Sequence, residues 1–539
     1  MAQLQNITLE AVGFAGLNTQ DVPLAVNPSF AAKADNCVID PRGRIEARKG
    51  QAHLVASSGT EPVHALFNFK DLTGREALIS AHNRVIQFGE TALTNLVIGT
   101  ERYNENHWKI VSLQNHCYLF QEGCAPRAIK FAGGDGLSSD GETIEDVLTV
   151  DKIIDYSDAV GAPPLANEVL SAYGRLWAAG TGEDKHTVYW SDLLNGRAWS
   201  GGTSGYVDLT TVWPTGHDEI VALAAHNGFL VIFGKKSIVV YSGAASPSSM
   251  TLSDTVAGVG CIARDSVQHT GSDIIFLSSD GLRTFGRTIQ EKSMPIGNLS
   301  RNVHDKLLAS VQTNVDNRII NSVYNPEKGE YILSLPDAEI MYVFNIAMPL
   351  EDGSPRVTTW TNVNTYSMHM KGNDILLGKS NGIYRYGGHF DYTNASSKSW
   401  YVMEYRSNPM DFGHPSNLKF LKKFEVTAIG NHHGDESAVY YYYDYQEDDQ
   451  FLTQYDAPAL PSNVAQFQVS DATSQNEYED DGTVGTTVFE YDDGVSVHTP
   501  KIMGQGSGEV VTIGVKTAIY GAPYSYQRIG IHATLGRLL

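Results

Sequence analysis

Short apolar strands that pair through polar turns recur along the chain before residue 400. In each unit an apolar run passes through a polar turn into a second short run that ends on an aromatic residue. The seven units span Ala77–Gly89, Ile110–Phe120, Arg175–Trp190, Phe229–Tyr241, Ile274–Gly286, Tyr331–Phe344 and Ile375–Gly387. Two turns carry Asp280-Gly281 and Asn381-Gly382. Such pairs favour type I′ hairpins, because both central residues of that turn need positive φ.

The spacing of the hairpins indicates a repeat architecture. The closing aromatic residues stand at positions 88, 120, 190, 241, 285, 344 and 386, and propeller blades repeat about every 40–50 residues. The short interval before 120 predicts a degenerate blade, and the Gly-, Asp- and Ser-rich stretch 132–145 predicts an insertion after it. We predict an all-β fold with a β-propeller of six to eight blades, which closes radially and leaves short edges. A β-sandwich or β-helix with chance similarity is the alternative.

Both ends of the chain differ from this middle part. Residues 1–60 lack the hairpin, and alternating strands at 424–429, 509–515 and 528–533 predict a β-sandwich-like domain near the C-terminus. We therefore predict an N-terminal platform segment at 1–60, a propeller at 61–399 and a C-terminal β-rich platform domain at 400–539. Helical signals are sparse, although Asn298-Leu299-Ser300 predicts the cap of one short helix over 301–311.

Composition and charge exclude several classes of protein. Apolar residues make up 42% of the 539 residues, which is enough to bury a large core and excludes global disorder. The balance of 39 Lys and Arg against 61 Asp and Glu gives a net charge of −22. Wrapping duplex DNA requires a basic face, and docking on anionic membranes requires basic residues, so neither is expected as the main role.

Membrane insertion and export are also not expected. The longest apolar stretch, Ile220–Phe233, contains His226 and Asn227. It falls short of the roughly 18 apolar residues that mark a spanning helix. The first ten residues lack the basic and apolar regions of a secretory signal. We expect a soluble product that is made in the cytoplasm.

Motifs for catalysis or cofactor binding are weak. Gly228–Ser237 has five residues between its glycines where a P-loop has four, and the spacer reads as a strand. Gly504–Gly508 is a glycine cluster without a following helical pattern, so dinucleotide binding is unsupported. His432 and His433 are adjacent, and adjacent strand residues point to opposite faces. The cysteines form no CxxC pair, so buried reduced thiols are expected at Cys37, Cys117, Cys124 and Cys261.

Three further segments carry alternative interpretations. The basic turn 40–50 either contacts phosphate or an acidic partner, or is a Pro-Gly turn with solvated charges. The acidic turns 479–482 and 491–494 either bind Ca²⁺ or are plain turns, since no Asp-x-Asp-x-Asp-Gly loop is present. The run Tyr440–Tyr445 either packs between subunits or forms strand surface. We predict no catalytic, cofactor-binding or metal-ligating residues, and no cofactor.

Several segments resemble one family of virion proteins. They are Gly16–Thr19, Asn36–Gly50, Phe233–Gly243, Val259–Val267, Phe276–Arg283 and Tyr524–Arg537. Together they resemble the tail nozzle, or tail tubular protein B, family of short-tailed bacteriophages. The resemblance touches most of the chain, and its motifs are structural because they carry no catalytic group.

The resemblance implies a fold and a role. Family members have a propeller and a platform that is made from both chain ends, and they build a ring that is typically a hexamer. The ring sits in the tail of the virion, is assembled in the host cytoplasm, and docks to the head–tail adaptor and to tail fibres or spikes. Its lumen conducts and gates the genomic DNA during ejection without specific binding. The implied role is structural, with no enzymatic activity.

Two other functions remain open at the level of sequence. The first is a propeller glycosidase or lyase that acts on host surface polysaccharide, which needs two carboxylates about 5–10 Å apart in a cleft. The second is a monomeric propeller binding module. Sugar release distinguishes the first from a structural protein, and native mass distinguishes the second.

Overall fold

The chain separates into two compact units. The computed structural model describes residues 4–10, 14–40, 43–56, 62–82, 85–90, 92–96, 107–131, 148–291, 298–392, 397–430, 437–447, 451–455, 467–469, 487–489, 497–499, 501–521 and 523–538. The terminal unit comprises Met1–Gly50, Gly388–Asp391 and Lys398–Leu539, and the propeller unit comprises Gln51–Gly387 and Tyr392–Ser397. The chain therefore leaves the terminal unit after Gly50 for the main part of the propeller unit, returns at Gly388, and leaves it again only for the short segment Tyr392–Ser397.

Strands dominate both units. The terminal unit begins with β1 (Leu4–Glu10), β2 (Gly16–Leu17), β3 (Phe30–Asp35), β4 (Cys37–Ile39) and β5 (Ile45–Ala47). The first strands of the propeller unit are β6 (Gln51–Ala56), β7 (Ala65–Lys70), β8 (Glu76–Ala81), β9 (Ile86–Phe88), β10 (Thr94–Asn95), β11 (Lys109–Leu113), β12 (His116–Phe120), β13 (Arg127–Phe131) and β14 (Leu148–Lys152). The next are β15 (Ala166–Ala172), β16 (Arg175–Thr181), β17 (Thr187–Trp190), β18 (Gly205–Asp208), β19 (Ile220–His226), β20 (Phe229–Gly234), β21 (Ser237–Ser242) and β22 (Thr251–Ala257).

The remaining elements complete the chain. The propeller unit continues with β23 (Gln268–His269), β24 (Ile274–Ser278), β25 (Gly281–Thr284), α1 (Phe285–Glu291), α2 (His304–Thr313), β26 (Asn321–Asn325), β27 (Glu330–Leu335), β28 (Ile340–Asn345), β29 (Arg356–Thr361), β30 (Ser367–Lys371), β31 (Asp374–Lys379) and β32 (Gly382–Tyr386). After it come β33 (Asp391–Tyr392), β34 (Lys398–Ser399), β35 (Tyr401–Ser407), β36 (Asn417–Gly430), β37 (Ser437–Tyr443), β38 (Phe451–Tyr455), β39 (Phe467–Val469), β40 (Thr487–Phe489), β41 (Val497–His498), β42 (Lys501–Met503), β43 (Val511–Ile519) and β44 (Tyr524–Leu538). Neither α1 nor α2 has the length and apolar character to cross a membrane.

Seven groups of three or four adjacent antiparallel strands, here called blades 1 to 7, make up most of the described propeller unit; the first five are separate sheets, and the last two are parts of larger sheets. Blades 1 to 4 are β7–β10, β11–β14, β15–β18 and β19–β22, each with its strands in chain order. Blade 5 is β23–β25, blade 6 is β26–β29, and blade 7 joins β30–β32 to β6. The first strands contact one another between blades 1 and 2, 2 and 3, 3 and 4, 5 and 6, and 6 and 7, and β30 contacts β7 in turn. Blades 4 and 5 meet through Phe233 of β20 and Phe276 of β24. This radial arrangement is a β-propeller, and its seven blades lie within the predicted range.

Blade 7 is built from both ends of the propeller sequence. β6 pairs with β32 in antiparallel register, with Ala56 opposite Gly382 and Gln51 opposite Tyr386. Val55 of β6 is 5% exposed and belongs to an apolar cluster with Leu376 of the same blade. The sequence placed residues 51–60 with the platform, whereas the structure assigns β6 to the propeller because its hydrogen-bond partners are there.

Each of the seven predicted hairpins lies in a different blade. Six of them are formed by the second and third strands of their blade, whereas Ile110–Phe120 is formed by the first and second, β11 and β12. The interval before the closing aromatic residue at position 120 is therefore short because this hairpin lies one strand earlier in its blade than the other six hairpins do. The predicted degenerate blade is wrong, because blade 2 has four paired strands.

Neighbouring blades are held together by apolar side chains on their broad faces. Phe233 of blade 4 and Phe276 of blade 5 lie with ring centroids 4.9 Å apart. Trp177 of blade 3 packs in one buried cluster with Ile232 of blade 4. The middle strands are covered on both faces, which explains why they read as continuous apolar runs rather than as alternating strands.

The predicted short helix is confirmed, but its cap is not. A 3₁₀ turn at Arg301–Val303 leads into α2 at His304. No side chain caps the first turn of α2. The Ser300 hydroxyl instead accepts a hydrogen bond from the backbone N–H of Leu282 at 3.1 Å, so this residue ties the helix approach to blade 5.

Two large sheets, together with the separate two-stranded pair β39 and β40, form the described part of the terminal unit. In one, the 14-residue β36 and the 15-residue β44 pair along their length, flanked by β1, β5, β41 and β42. In the other, β35, β43 and β37 are adjacent. The sheets meet through aromatic side chains, since Phe424 of β36 lies 5.0 Å from the ring of Tyr441 on β37. This arrangement is a β-sandwich assembled from both chain ends.

The tyrosine run lies inside this sandwich. Tyr440, Tyr441, Tyr442 and Tyr443 lie on β37 and are all less than 9% exposed. Gly514 on β43 makes room for the Tyr440 ring, because an added Cβ there would lie 2.1 Å from it. The interpretation of these four residues as a loop between subunits is wrong, because their side chains are already buried within one chain.

Candidate functional site: the axial cavity of the propeller

The innermost strands of several blades surround a cavity of about 230 Å³. Its walls come from β7, β11, β26 and β30, and from the segment that leads into β23. The polar residues that line it are His64, Lys109, Asp265, Gln268, Asn321, Ser322, Ser367 and His369. The half-buried Phe67 and the buried Trp108 also border it. Concave, largely preformed spaces of this kind are where ligands bind in folded proteins.

Four ionised side chains form a network beside this cavity. The Lys109 ammonium donates to Asp265 Oδ1 at 2.7 Å, and Arg264 Nη2 donates to Asp265 Oδ2 at 2.7 Å. Glu168 Oε2 lies 3.7 Å from Lys109 Nζ and 3.9 Å from Arg264 Nε. Two cations thus face two carboxylates, so the network is close to neutral.

The backbone fixes Asp265 and Arg264 in position. The Asp265 carbonyl accepts from the backbone N–H of Ser322 at 3.0 Å and from the Ser322 hydroxyl at 2.9 Å. Arg264 donates to the carbonyl of Asn167 at 2.6 Å and to that of Trp108 at 3.1 Å. The short segment before β23 is therefore attached to blades 2, 3 and 6 at once.

Burial and charge act against each other in this network. Burial disfavours the Lys109 ammonium, but the attraction of Asp265 and Glu168 outweighs it and raises the pKa of Lys109. Burial likewise opposes ionisation of Asp265, yet Arg264 and Lys109 hold its pKa well below the usual range. For Glu168 burial prevails over the two cations, and its pKa is raised.

Three histidines near the axis are held neutral. Burial, followed by the neighbouring His107 and His82, lowers the pKa of His64 to about 3. Burial, followed by Arg264, lowers the pKa of His107 to about 4, and its ring centroid lies 4.3 Å from that of His64. Burial alone lowers the pKa of His369 to about 4. At neutral pH these rings therefore act as hydrogen-bonding groups without charge.

Two polar atoms on the cavity wall have no hydrogen-bond partner among the described residues. They are Nδ1 of His64 and Oδ1 of Asn321. The orientation of the Asn321 amide is fixed, because its Nδ2 donates to the carbonyls of Ile319 and Thr365, each at 3.0 Å. Asn321 is 6% exposed, and its Oδ1 is a buried acceptor without a donor among the described residues.

The carboxylates here do not form a catalytic pair. Separated pKa values in two neighbouring carboxyl groups are typical of an acid and base pair. However, Glu168 is 3% exposed and is not part of the cavity wall, so a substrate in the cavity does not reach it. In the part of the chain that the structure describes, no group of three or more His, Cys, Asp or Glu residues is placed to hold a metal ion.

Two of the four basic residues in the turn 40–50, Arg44 and Arg48, are engaged inside the terminal unit, whereas Lys49 is exposed and Arg42 lies outside the described residues. Arg44 donates to the Asp40 carboxylate at 2.7 Å. Arg48 is fully buried, pairs with Asp391 at 2.6 Å and lies 3.9 Å from the ring centroid of Tyr401. Neither arginine is available for phosphate, so the contact with an external anion is wrong for these two residues.

The segment that superficially resembles a P-loop is the hairpin of β20 and β21. Its turn does present two backbone N–H groups to an anion, but the anion is the Asp218 carboxylate. Lys235 and Lys236 donate to it at 3.0 and 2.9 Å, and the Ser237 hydroxyl donates at 2.6 Å. An internal carboxylate therefore occupies the position that a phosphate would need.

None of the other sequence candidates that the structure describes lines the cavity. Cys37, Cys117 and Cys261 are buried free thiols, as expected, and Cys124 is half-buried. The turns 479–482 and 491–494 and the pair His432-His433 lie outside the described residues. Gly504–Gly508 is described and forms a loop between β42 and β43.

Sequence reasoning missed the ion network as a site. Its members lie on blades 2 and 3 and before β23, so no local spacing unites Lys109, Glu168 and Arg264. A signal was nevertheless present, because Arg264-Asp265 lies in Val259–Val267, one of the segments that carry the family resemblance. An Arg-Asp pair surrounded by apolar residues predicts buried charge that needs partners.

Comparison with known proteins identifies no family. No protein-family profile and no curated protein matches the sequence. Among solved structures, the designed protein Ika8 aligns at 13% identity and a TM-score of 0.33, over 62% of this chain and 99% of its own. The WD40 domain of Neurospora crassa Pan2 aligns at 8% identity and a TM-score of 0.35, over 63% and 95%. PorZ of Porphyromonas gingivalis aligns at 10% identity and a TM-score of 0.31, over 63% and 37%.

Proposed function

We propose that this protein is a structural subunit of a phage tail nozzle, a ring that conducts and gates DNA during ejection. The observation that carries the proposal is the division of the chain. The first 50 residues and the last 142 residues, Lys398–Leu539, belong to one β-rich unit, and a propeller is inserted between them. A propeller with a platform made from both chain ends is what the resemblance to the tail nozzle family implies.

The site chemistry supports a structural role. The charged groups beside the axial cavity neutralise one another through contacts of 2.7–3.9 Å. Buried networks of this kind specify and rigidify a fold, and here they attach the segment before β23 to three blades. The cavity at the subunit's own axis, of about 230 Å³, is far too small for duplex DNA, so in this proposal the DNA passes through the lumen of the ring and not through the propeller.

The charge of the chain supports a conduit that does not retain DNA. A net charge of −22 repels phosphates, whereas a basic lumen would bind them through counterion release. In this proposal the partners are further copies of the chain, a head–tail adaptor and tail fibres or spikes. The protein then belongs to the virion tail after assembly in the host cytoplasm.

The native mass of the purified protein tests the proposal. We expect a ring of about six subunits, or a monomer that assembles only when tail particles are added, by native mass spectrometry and negative-stain imaging. Duplex DNA should not be retained by the ring at physiological salt. A stable monomer that ignores tail particles would contradict the proposal, and release of sugar from host polysaccharide would replace it with an enzymatic function.

A further inference from the structure

The fourth strand of blade 3 is a free edge of its sheet. β18 pairs with β17 on one side, and none of the described strands pairs with its other side. Just beyond the strand, the N–H of Leu209 donates to the carbonyl of His186. This contact fixes which residues of β18 turn their backbone groups toward β17, because such residues alternate along an antiparallel ladder. The N–H and C=O groups of Tyr206 and Asp208 therefore point away from β17, and no described backbone group pairs with them.

An open apolar groove of about 380 Å³ borders this edge, between blade 3 and the loop that joins β21 to β22 in blade 4. Its lining includes the half-buried side chains of Val207 and Met250 and the buried rings of Trp190 and Tyr241. Val207 packs against the apolar cluster that blades 3 and 4 share. Since side chains alternate between the two faces of a sheet, a strand added beside β18 would place every second side chain on the face of Val207, at the groove.

The opposite face of the same edge carries aromatic and acidic groups. Tyr206 is 68% exposed, and its ring centroid lies 6.0 Å from that of Tyr189. Asp208 is also exposed, and its Oδ1 accepts from the N–H of Thr210 at 2.8 Å. No Lys or Arg occurs in 205–208 or 243–250, so the Asp208 carboxylate is the one charge of this strand and this loop. A lysine or arginine side chain fits this face, because the carboxylate attracts it and an exposed tyrosine ring binds cations.

From these features we propose that the edge of β18 binds an extended segment of a partner protein in which apolar and basic residues alternate. The segment adds an antiparallel strand to blade 3, and its backbone pairs with that of Tyr206 and Asp208. Its apolar side chains enter the groove, and its basic side chains lie beside Tyr206 and Asp208. Main-chain hydrogen bonds then supply the affinity, and the two unlike faces supply the specificity.

This docking site is independent of the nozzle proposal, because it lies within blades 3 and 4 of one subunit and needs no ring. The test uses the full-length protein and the capped heptapeptide KVKVKVK, which has the required alternation. We expect isothermal titration calorimetry to show one saturable site with a Kd below about 1 mM. Hydrogen exchange should show new protection of the amides in 205–208 when the peptide is bound.

Two further peptides separate strand pairing from charge. The same heptapeptide with N-methylated lysine amides keeps its charge but cannot donate to the edge, so it should bind at least about tenfold more weakly. It also controls for general attraction of a cationic peptide to a protein with a net charge of −22. The heptapeptide EVEVEVE keeps the alternation but has the wrong charge, and it should likewise bind at least about tenfold more weakly.

Variants locate the site. Asp208→Lys should weaken binding of KVKVKVK at least about tenfold and strengthen binding of EVEVEVE, because it reverses the charge of the edge. Asp151→Lys is the matched control, since Asp151 is also exposed on the edge strand of its blade, β14 of blade 2, and it should leave both affinities unchanged.

Several results would overturn the proposal. They are the absence of saturable binding of KVKVKVK, equal binding of its N-methylated form, or equal effects of the two variants. Dimerisation of the natural protein that Asp208→Lys abolishes would also overturn it, because a second copy of the chain would then occupy the edge. If Asp208→Lys does not fold, the comparison of the two lysine peptides on the natural protein decides the proposal.

Discussion

Replacing Asp265 with Asn tests whether the buried ion network holds the propeller together. The substitution keeps the size of the side chain and removes the charge that faces Arg264 and Lys109, each at 2.7 Å. At an effective dielectric constant of 20, a single contact at that distance is worth about 6 kcal/mol before desolvation. Breaking one partner of a buried pair costs about 3–5 kcal/mol in practice, because the remaining charge is left uncompensated. We expect a loss of that size at pH 7.

Differential scanning calorimetry measures this loss as a decrease in the melting temperature of the propeller unit. The propeller unit has some 340 residues, and at about 2.1 cal/mol/K per residue its unfolding entropy is roughly 0.7 kcal/mol/K. A loss of about 4 kcal/mol therefore lowers the propeller transition by about 6 °C. Tryptophan fluorescence follows the same transition, and Trp108, whose carbonyl accepts from Arg264, is one of the seven tryptophans that contribute to it.

A matched variant separates this effect from a general effect of removing a carboxylate. Asp374→Asn also removes an Asp beside an arginine, but Asp374 and Arg385 are 3.8 Å apart and about half exposed. Exposed pairs contribute about 0–1 kcal/mol, so the control should shift the transition by less than about 1.5 °C. If Asp265→Asn shifts it no further than Asp374→Asn, the network does not stabilise the propeller and the reasoning is refuted.

Three further perturbations test other parts of the structure. Since the pKa of His64 is lowered to about 3 and that of the unfolded chain is near 6.5, the unfolded state binds the proton first. Stability then falls by about 2 kcal/mol per such histidine between pH 7 and pH 5, and His64→Phe should remove that share in urea titrations at the two pH values. Gly514→Ala places a Cβ 2.1 Å from a buried tyrosine ring and should lower the free energy of unfolding by about 2–3 kcal/mol. The control Gly530→Ala, whose nearest neighbour lies at 3.6 Å, should lower it by under about 1 kcal/mol. Equal shifts in melting temperature would show that the structure relieves the close approach at Gly514. Val55→Asp puts a charge in the core of blade 7 and should lower the melting temperature and promote aggregation. The control Ala56→Asp, at the exposed next position, should do neither. A stable Val55→Asp protein would contradict the closure of the propeller by β6.

The repeat was predictable because its signals are local. Turns such as Asp280-Gly281 and Asn381-Gly382 lie between the strands that they connect, so one window of sequence contains the whole hairpin. The strand Gln51–Ala56 was assigned to the wrong unit because its partner begins at Gly382, and nothing in its own short, mixed pattern indicates that distance. The ion network was missed for the same reason, since Lys109 and Arg264 meet only when the blades close around the axis.

The division of blade 7 between the two ends of the propeller sequence sets an order of events during synthesis. β6 leaves the ribosome roughly 15 s to a minute before β32, at about 5–20 residues per second. During that time Gln51–Ala56 is an unpaired strand, and every earlier blade folds without a closed ring. The terminal unit cannot be completed in that time either, because it includes residues that follow the propeller. Within it, the N–H of Gly50 donates to the carbonyl of Gly388 at 2.9 Å. A truncated nascent chain that stops before residue 382 therefore carries two unfinished units, so neither the propeller nor the terminal unit is complete in it.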